Sequence, residues 1–217
     1  MDVPWWPVWG IRIRTPRLEM RPVREAEVID LVELAAHGVH DPATMPFSVP
    51  WTDLPSPQRE RSSLAFHARN WAELSPRSWR LAFAAYADGG GCIGTADLGS
   101  QEPGVTRTVT SGSWVGLAHQ RRGLGSEMRA GLLRLAFEHL GMERACTEAW
   151  HDNEASLRLT QAFGYRPNGE TTAVRRNRSD RLLRFVMERA DWESSPARDV
   201  EVTVEGVTGD VLGQLGL

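Results

Sequence analysis

Lysine is absent from this 217-residue chain, so all 25 of its basic residues are arginine. Without a lysine amine there is no Schiff-base chemistry, no lysine-anchored pyridoxal phosphate and no lysine general base. The same absence rules out a Walker-type nucleotide loop, which needs a Gly-Lys-Ser/Thr ending. Cysteine is scarce too: Cys92 and Cys146 are the only two, both in strand-like stretches and without metal-ligand spacing. They read as small buried hydrophobes in a reducing compartment, and no metal is expected. No apolar run approaches the ~20 residues of a membrane span, and the start of the chain lacks the basic and apolar regions of a secretory signal. The expected location is cytoplasmic. A net charge of −3 offers no basic footprint, so neither nucleic acid nor membrane is expected as a partner.

What the chain does have is a pair of glycines in an informative place. Gln120-Arg121-Arg122-Gly123-Leu124-Gly125 follows a strand-like run, Thr106 to Leu117. It precedes apolar residues at Leu124, Met128, Leu132, Leu135, Ala136 and Leu140, spaced as one face of a helix. The glycines therefore stand where a strand turns into a helix N-terminus, whose first N–H groups lack intrahelical partners and carry partial positive charge. Gly123 and Gly125 have no Cβ to hold a phosphate away, so the loop reads as a diphosphate cradle. A dinucleotide fingerprint, G-x-G-x-x-G, is not present.

Two further landmarks follow the same order as in a known family. His151-Asp152-Asn153-Glu154-Ala155-Ser156 follows a short strand, Arg144 to Ala149, and opens a helix that closes near Phe163-Gly164-Tyr165. Near the start stands Ile13-Arg14-Thr15-Pro16-Arg17-Leu18. With the Q/R-x-x-G-x-G/A loop, the N-x-A-S element, the aromatic-Gly-aromatic element and an -R-T-x-R-L- first strand, the chain resembles the GNAT superfamily of N-acyltransferases. The likeness is to its ribosomal-protein N-terminal acetyltransferase (Rim-type) group, over roughly Thr15 to Trp192. It implies an α/β (α+β) GNAT fold: a mixed, mostly antiparallel sheet of about seven strands flanked by four helices. The division expected is a GNAT acyltransferase domain at 11–192 and a C-terminal tail at 193–217.

Between those landmarks the pattern is readable. A first strand is expected at about Ile11 to Pro22, and a helix from Glu25 to His37 with Gly38 as its stop. A second helix is expected behind Ser56 and Pro57, with Leu64, Ala65, Ala68 and Trp71 on its apolar side. Strands at Trp79 to Ala87 and Cys92 to Leu98 are joined by an Asp88-Gly89-Gly90-Gly91 turn, and two late strands run near Tyr165 to Val174 and Arg181 to Arg189. Val200, Val202 and Val204 alternate with polar residues, which suggests one more strand. Whether it pairs within the chain or across a homodimer the pattern leaves open. A cut after Ser194 is expected to spare the core.

The resemblance also assigns roles. Backbone groups of Trp114 and Val115 would pair with a pantetheine arm. Gln120, Arg121, Arg122, Gly123, Leu124, Gly125 and Ser126 would hold the pyrophosphate of acetyl-CoA or succinyl-CoA, and Asn153 would contact the pantetheine region. Asn153 is equally a good helix cap. Ser156 is the candidate for assisting the thiolate, against a plain solvent-facing serine. Relatives often carry a carboxylate base early in the fourth strand, but Thr106 to Ser113 contains no acid. Glu148 is the substitute named here, with Asp97, His40 and Asp41 as alternatives.

His40, Met45, Phe47 and Trp51 lie in a Pro-punctuated segment that cannot be regular helix, and are read as an acceptor wall rather than a core plug. The stretch His40-Asp41-Pro42 to Met45-Pro46-Phe47-Ser48-Val49-Pro50-Trp51 resembles that of actinobacterial relatives, and implies succinyl-CoA as a donor beside acetyl-CoA. The function implied is acyl transfer to the primary amine of a small molecule or protein by direct attack. The alternative is an acyl-CoA-binding module without turnover.

Overall fold

A proline decides how the chain enters the sheet. In the computed structural model, which describes residues 3–217, the expected first strand is two: β1 (Arg12–Arg14) and β2 (Leu18–Pro22). They pair antiparallel with Ile13 opposite Met20, closed by a turn in which the Thr15 N–H donates to the Leu18 carbonyl at 2.9 Å. Pro16 sits at the second turn position, where its fixed φ suits and its missing N–H costs nothing.

Helix α1 (Glu25–Ala36) follows, stopped as expected by Gly38 at φ +105°. An irregular segment leads to α2 (Gln58–Ala72) and the hairpin of β3 (Ser78–Ala87) and β4 (Cys92–Gln101). A single turn, α3 (Pro103–Thr106), precedes β5 (Thr108–Val115). Helix α4 (Leu124–Arg134) runs on through a π turn at Leu135–His139, before β6 (Arg144–Trp150) and α5 (Glu154–Ala162). Then come β7 (Arg166–Arg175), β8 (Arg178–Glu188), α6 (Arg189–Glu193), β9 (Thr203–Glu205) and α7 (Gly209–Gln214).

Among the described residues the sheet has nine strands, ordered β7-β8-β6-β5-β4-β3-β2-β1-β9, two more than expected from sequence. The split first strand accounts for one and the tail strand for the other. Among the described strands only β5 and β6 run parallel. Among the described residues seven helices stand where four are expected, because α3, α6 and α7 are short turns.

The two faces of the sheet bury different helices. Alternate residues of β3 point opposite ways. Phe83 and Ala85 join Ile13, Met20, Leu98 and Val109 under α4, while Ala84 and Tyr86 join Val28 and Leu31 under α1. Helix α2 departs from its apolar reading: Leu64, Ala65 and Ala68 are exposed, and His67 is the buried residue. On that side the helix borders a cavity rather than packed core, and it is tied down near its end, where Trp71 Nε1 donates to the Val23 carbonyl at 2.9 Å.

The tail is part of the same core. Strand β9 pairs with β1 within the chain, setting Val204 opposite Ile13. Val211 and Leu215 are fully buried, and the Leu215 carbonyl accepts from Trp79 Nε1 at 3.0 Å. A cut after Ser194 would strip these groups away, so the expectation that it spares the core gives way to the opposite one. No helix among the described residues is long and apolar enough to cross a membrane.

Candidate active site

The site begins with a defect in the sheet. Parallel pairing between β5 and β6 covers only Thr108 to Thr110 against Arg144 to Cys146. Beyond that point β5 keeps only β4 as a partner and β6 keeps only β8, so the two strands splay apart. A hydrogen bond from the Thr147 hydroxyl to the Ser111 carbonyl, 3.3 Å, marks the closed end. The facing edge of Ser111 to Val115 is left without a strand partner, in a cavity of about 1700 Å³. An unpaired edge facing a cavity is a place for an extended ligand to add itself as a strand.

At the open end lies the glycine loop. Gly123 caps α4 at φ +79°, and Arg121 also sits in the left-handed region at φ +59°. The N–H groups of Arg121, Arg122, Gly123, Leu124 and Gly125 have no acceptor among the described residues. Five consecutive free donors at the start of an eleven-residue helix form an anion cradle. Ser126, expected in the same set, already donates its N–H to the Gly123 carbonyl at 3.1 Å.

Other expected loop contacts are spent on structure. Gln120 Nε2 donates to the carbonyls of Val39 and Val115, at 2.7 and 2.8 Å, so its side chain ties the loop to β5. Arg122 does not line the cavity; its carbonyl accepts from Arg17 Nη1 at 2.8 Å. Here the Thr15-Pro16-Arg17 turn finds its purpose. Arg17 Nε meets Glu127 Oε1 at 2.5 Å, the Thr15 hydroxyl meets Glu127 Oε2 at 2.5 Å, and the Arg17 N–H reaches the same oxygen at 3.2 Å. One buried carboxylate on the first turns of α4 thus holds the turn, and Arg17 joins it to the loop backbone. Neither Arg17 nor Glu127 is legible as a site residue in sequence, because their link spans 110 positions.

Across the split, Asn153 caps α5, its Oδ1 accepting from the Ser156 N–H at 3.3 Å. Both residues line the cavity, and the Ser156 hydroxyl makes no hydrogen bond among the described residues.

The Pro-rich segment forms one wall, but not with all the residues expected. His40, Phe47, Trp51 and Trp114 follow one another in edge-on and tilted ring contacts, with 5.6, 5.4 and 5.8 Å between ring centroids, and all four line the cavity. Met45 does not; it is 2% exposed and anchors the loop from behind. The segment is clamped by the β7–β8 turn. Arg175 Nε donates to the Met45 carbonyl at 2.7 Å, and Arg176 grips Asp53 through two nitrogens at 2.7 and 2.6 Å. At the far edge Trp150 Nε1 donates to the Phe47 carbonyl at 3.1 Å.

The carboxylates divide clearly. Asp97 lies on the cavity wall in an ion pair with Arg80, and burial pushes its carboxyl above the usual range against the pull of that arginine. The Asp41 Oδ1 accepts from the Ala43 N–H at 2.9 Å. His40 has both ring nitrogens occupied, Nδ1 at 2.8 Å from the Asp41 carbonyl and Nε2 at 2.7 Å from the Thr52 hydroxyl. Glu148 lines the cavity, exposed and without an ion pair among the described residues, opposite Arg184 of β8. The two thiols are half-buried, and burial raises Cys92 to about 11 and Cys146 likewise upward, so both stay protonated at neutral pH.

A split between two parallel strands, closed at one end and leading at the other to a glycine cradle, is the architecture of an acyl-CoA-dependent acetyltransferase. The acetyltransferase (GNAT) domain family matches residues 17–166, and the chain belongs to that family. Solved structures with the same fold include a GCN5-related N-acetyltransferase from Brucella melitensis, 19% identical, covering 84% of this chain and 80% of that one with a TM-score of 0.67. The ribosomal L7/L12 α-N-protein acetyltransferase RimL, solved in complex with coenzyme A, is 14% identical, with 80% and 95% covered and a TM-score of 0.65. A chimera of the Vibrio cholerae spermidine N-acetyltransferase SpeG with hSSAT is 13% identical, with 81% and 98% covered and a TM-score of 0.64.

Proposed function

We propose that this GNAT protein transfers an acetyl or succinyl group from its CoA thioester to the primary amine of a small molecule or protein, by direct attack. The observation that carries the reading is the continuity of the unpaired β5 edge with the five free N–H groups of the loop. The pyrophosphate takes those donors, and the pantetheine arm runs along Ser111 to Trp114. The Val115 carbonyl is already held by Gln120, which leaves only its other groups for the arm.

The acceptor enters on the face of the aromatic wall. There Glu148 accepts a proton from the ammonium, directly or through water; the freed amine attacks the thioester carbon, the carbon–sulfur bond breaks, and the proton then shed by the nitrogen passes to the departing thiolate. The Ser156 hydroxyl, unspent and on the first turn of α5, hydrogen-bonds the departing thiolate. Asn153 holds that turn and offers its amide to the arm.

Calorimetric titration with acetyl-CoA, succinyl-CoA and free CoA tests the cradle, and turnover against a panel of amines tests the chemistry. No binding of any of the three overturns the reading. Binding without turnover would leave an acyl-CoA-binding module, in line with the β5 stretch that carries no acid.

A further inference from the structure

On the acceptor side of the cavity three charged side chains have no partner among the described residues: Glu148, Arg184 and Arg69. The others there are committed. Asp97 is paired with Arg80, and Asp41 holds its own turn. Arg129 lies on the α4 side of the sheet, 4% exposed, where it and Ser111 meet the Tyr165 hydroxyl. The acceptor chamber thus offers one free carboxylate against two free guanidinium groups. A polyamine entering it would set one ammonium on Glu148 and bring its second against arginine, with no anion to meet it.

Glu148 and Arg184 stand side by side. They are directly opposed across β6 and β8, so their side chains leave the same face of the sheet. Trp150, two residues on, shares that face, and its Nε1 ties it to the aromatic wall. Opposed residues of opposite charge ordinarily pair, but these two do not. Strand β7 supplies the reason. Its register with β8 shifts between Pro167 and Glu170, and Gly169 turns there at φ +84°. The Arg184 guanidinium lies over that bulge, where a Cβ on Gly169 would stand 3.8 Å from its Nη2. Asn168, in the same bulge, lines the cavity with its side-chain amide unspent. Carboxylate and guanidinium are therefore held apart across one opening, with a second N–H donor on the guanidinium side.

We infer that the opening between Glu148 and Arg184 takes an acceptor whose amine carries a carboxylate a few bonds away: a free α-amino acid or a peptide that begins with an acidic residue. The amine sits on Glu148, at the unpaired β6 edge that faces the donor on β5. The carboxylate accepts from the planar fork of Arg184 and from the Asn168 amide, and the rest of the acceptor extends away over β8. The inference rests on the acyl-transfer reading above and narrows its acceptor.

The test measures kcat/KM for two matched pairs of acceptors, with the acyl-CoA that turns over, acetyl or succinyl, held saturating. The pairs are alanine against alaninamide, and aspartyl-alanyl-alaninamide against its asparaginyl counterpart, with spermidine as the polyamine. Alaninamide has the less basic amine, so a preference for alanine runs against the amine's own reactivity. The expected result is an advantage of at least about fivefold for the carboxylate member of a pair, with spermidine poorer than either. In Arg184→Gln that advantage vanishes while free CoA binds both proteins alike. A preference in the first pair assigns a free amino acid, and in the second a peptide. Equal rates within both pairs overturn the site, as does spermidine acylated best or a preference that survives in the variant. Arg184 is exposed, and should the variant still not fold, the pairs decide on the unaltered protein alone. Acylation of no amine despite CoA binding strikes the transferase reading and the site with it; acylation without a carboxylate preference strikes only the site.

Discussion

Replacing Arg17 with methionine should weaken CoA binding without touching any group that contacts the acyl carbon. Arg17 makes two links at once: to the Glu127 carboxylate on α4 and to the Arg122 carbonyl in the phosphate loop. Hydrogen bonds to charged groups contribute about 1.5–3 kcal/mol when well shielded. The Arg17 side chain is half exposed, so solvent screening discounts that to about 1–1.5 kcal/mol. If the loss falls on the population of loops in the binding geometry, CoA affinity drops by about tenfold. Calorimetry measures it, and kcat at saturating donor should hold within about twofold because the reacting groups keep their places. Arg17→Lys should rescue little, since a point-like ammonium cannot span both acceptors as the planar fork does. The refuting result is specific: unchanged CoA affinity with a lowered Tm would make the brace a stability element that leaves the loop geometry alone.

Three other outcomes are expected. Ser156→Ala should lower kcat by about 10²–10⁴ while CoA affinity is unchanged, and full activity would reduce Ser156 to a residue of the capping turn. Leu215→Ala should cost about 3 kcal/mol and lower Tm by roughly 6–12 °C for a chain of this size, and an unmoved Tm would mean the tail is dispensable. His67 is desolvated in α2, which holds its imidazole down at about 4 from an ordinary 6.5. A depressed folded-state value means the unfolded chain takes up the proton first, so this group costs nothing above pH 6.5 and destabilises progressively as pH falls towards 4. The full penalty is about 3 kcal/mol, and His67→Phe should flatten urea-melt stability over that window.

The parts of this molecule legible in sequence are those that depend on neighbours along the chain. The glycine loop, the α4 stripe, the Asn153 cap and the Gly38 stop are written in spacings of a few residues, and each stands where the spacing puts it. The rest is written in contacts between distant positions. Nothing local says that Glu127 answers Thr15 and Arg17, or that the arginines of the β7–β8 turn clamp the segment carrying Phe47. Pro16 is local, yet a run of strand-forming residues hides a turn when the proline sits inside it. Helix α2 misled for a different reason, since an apolar stripe looks the same whether it faces packed core or the rim of a cavity. Arg129 escaped because it lies between Met128 and Leu132 on a helix read for its apolar side, where a charged residue is assumed to point to water.

The missing acid of β5 can be set against where the acids went. Asp53, Asp97, Asp152 and Asp180 are each paired with an arginine, from Arg80, Arg175 and Arg176, so the loops around the acceptor side are fastened by ion pairs. Of the three carboxylates on the cavity wall, Asp97 is thus neutralised and Asp41 is engaged with its own turn, which leaves Glu148. Strand alternation puts Glu148 on the same side as Trp150, next to the aromatic wall and across the sheet from Arg129. A base belongs on the side where the amine arrives. If Glu148 and Arg129 met on one face they would pair with each other, as Arg80 and Asp97 do, and the carboxylate would not be free.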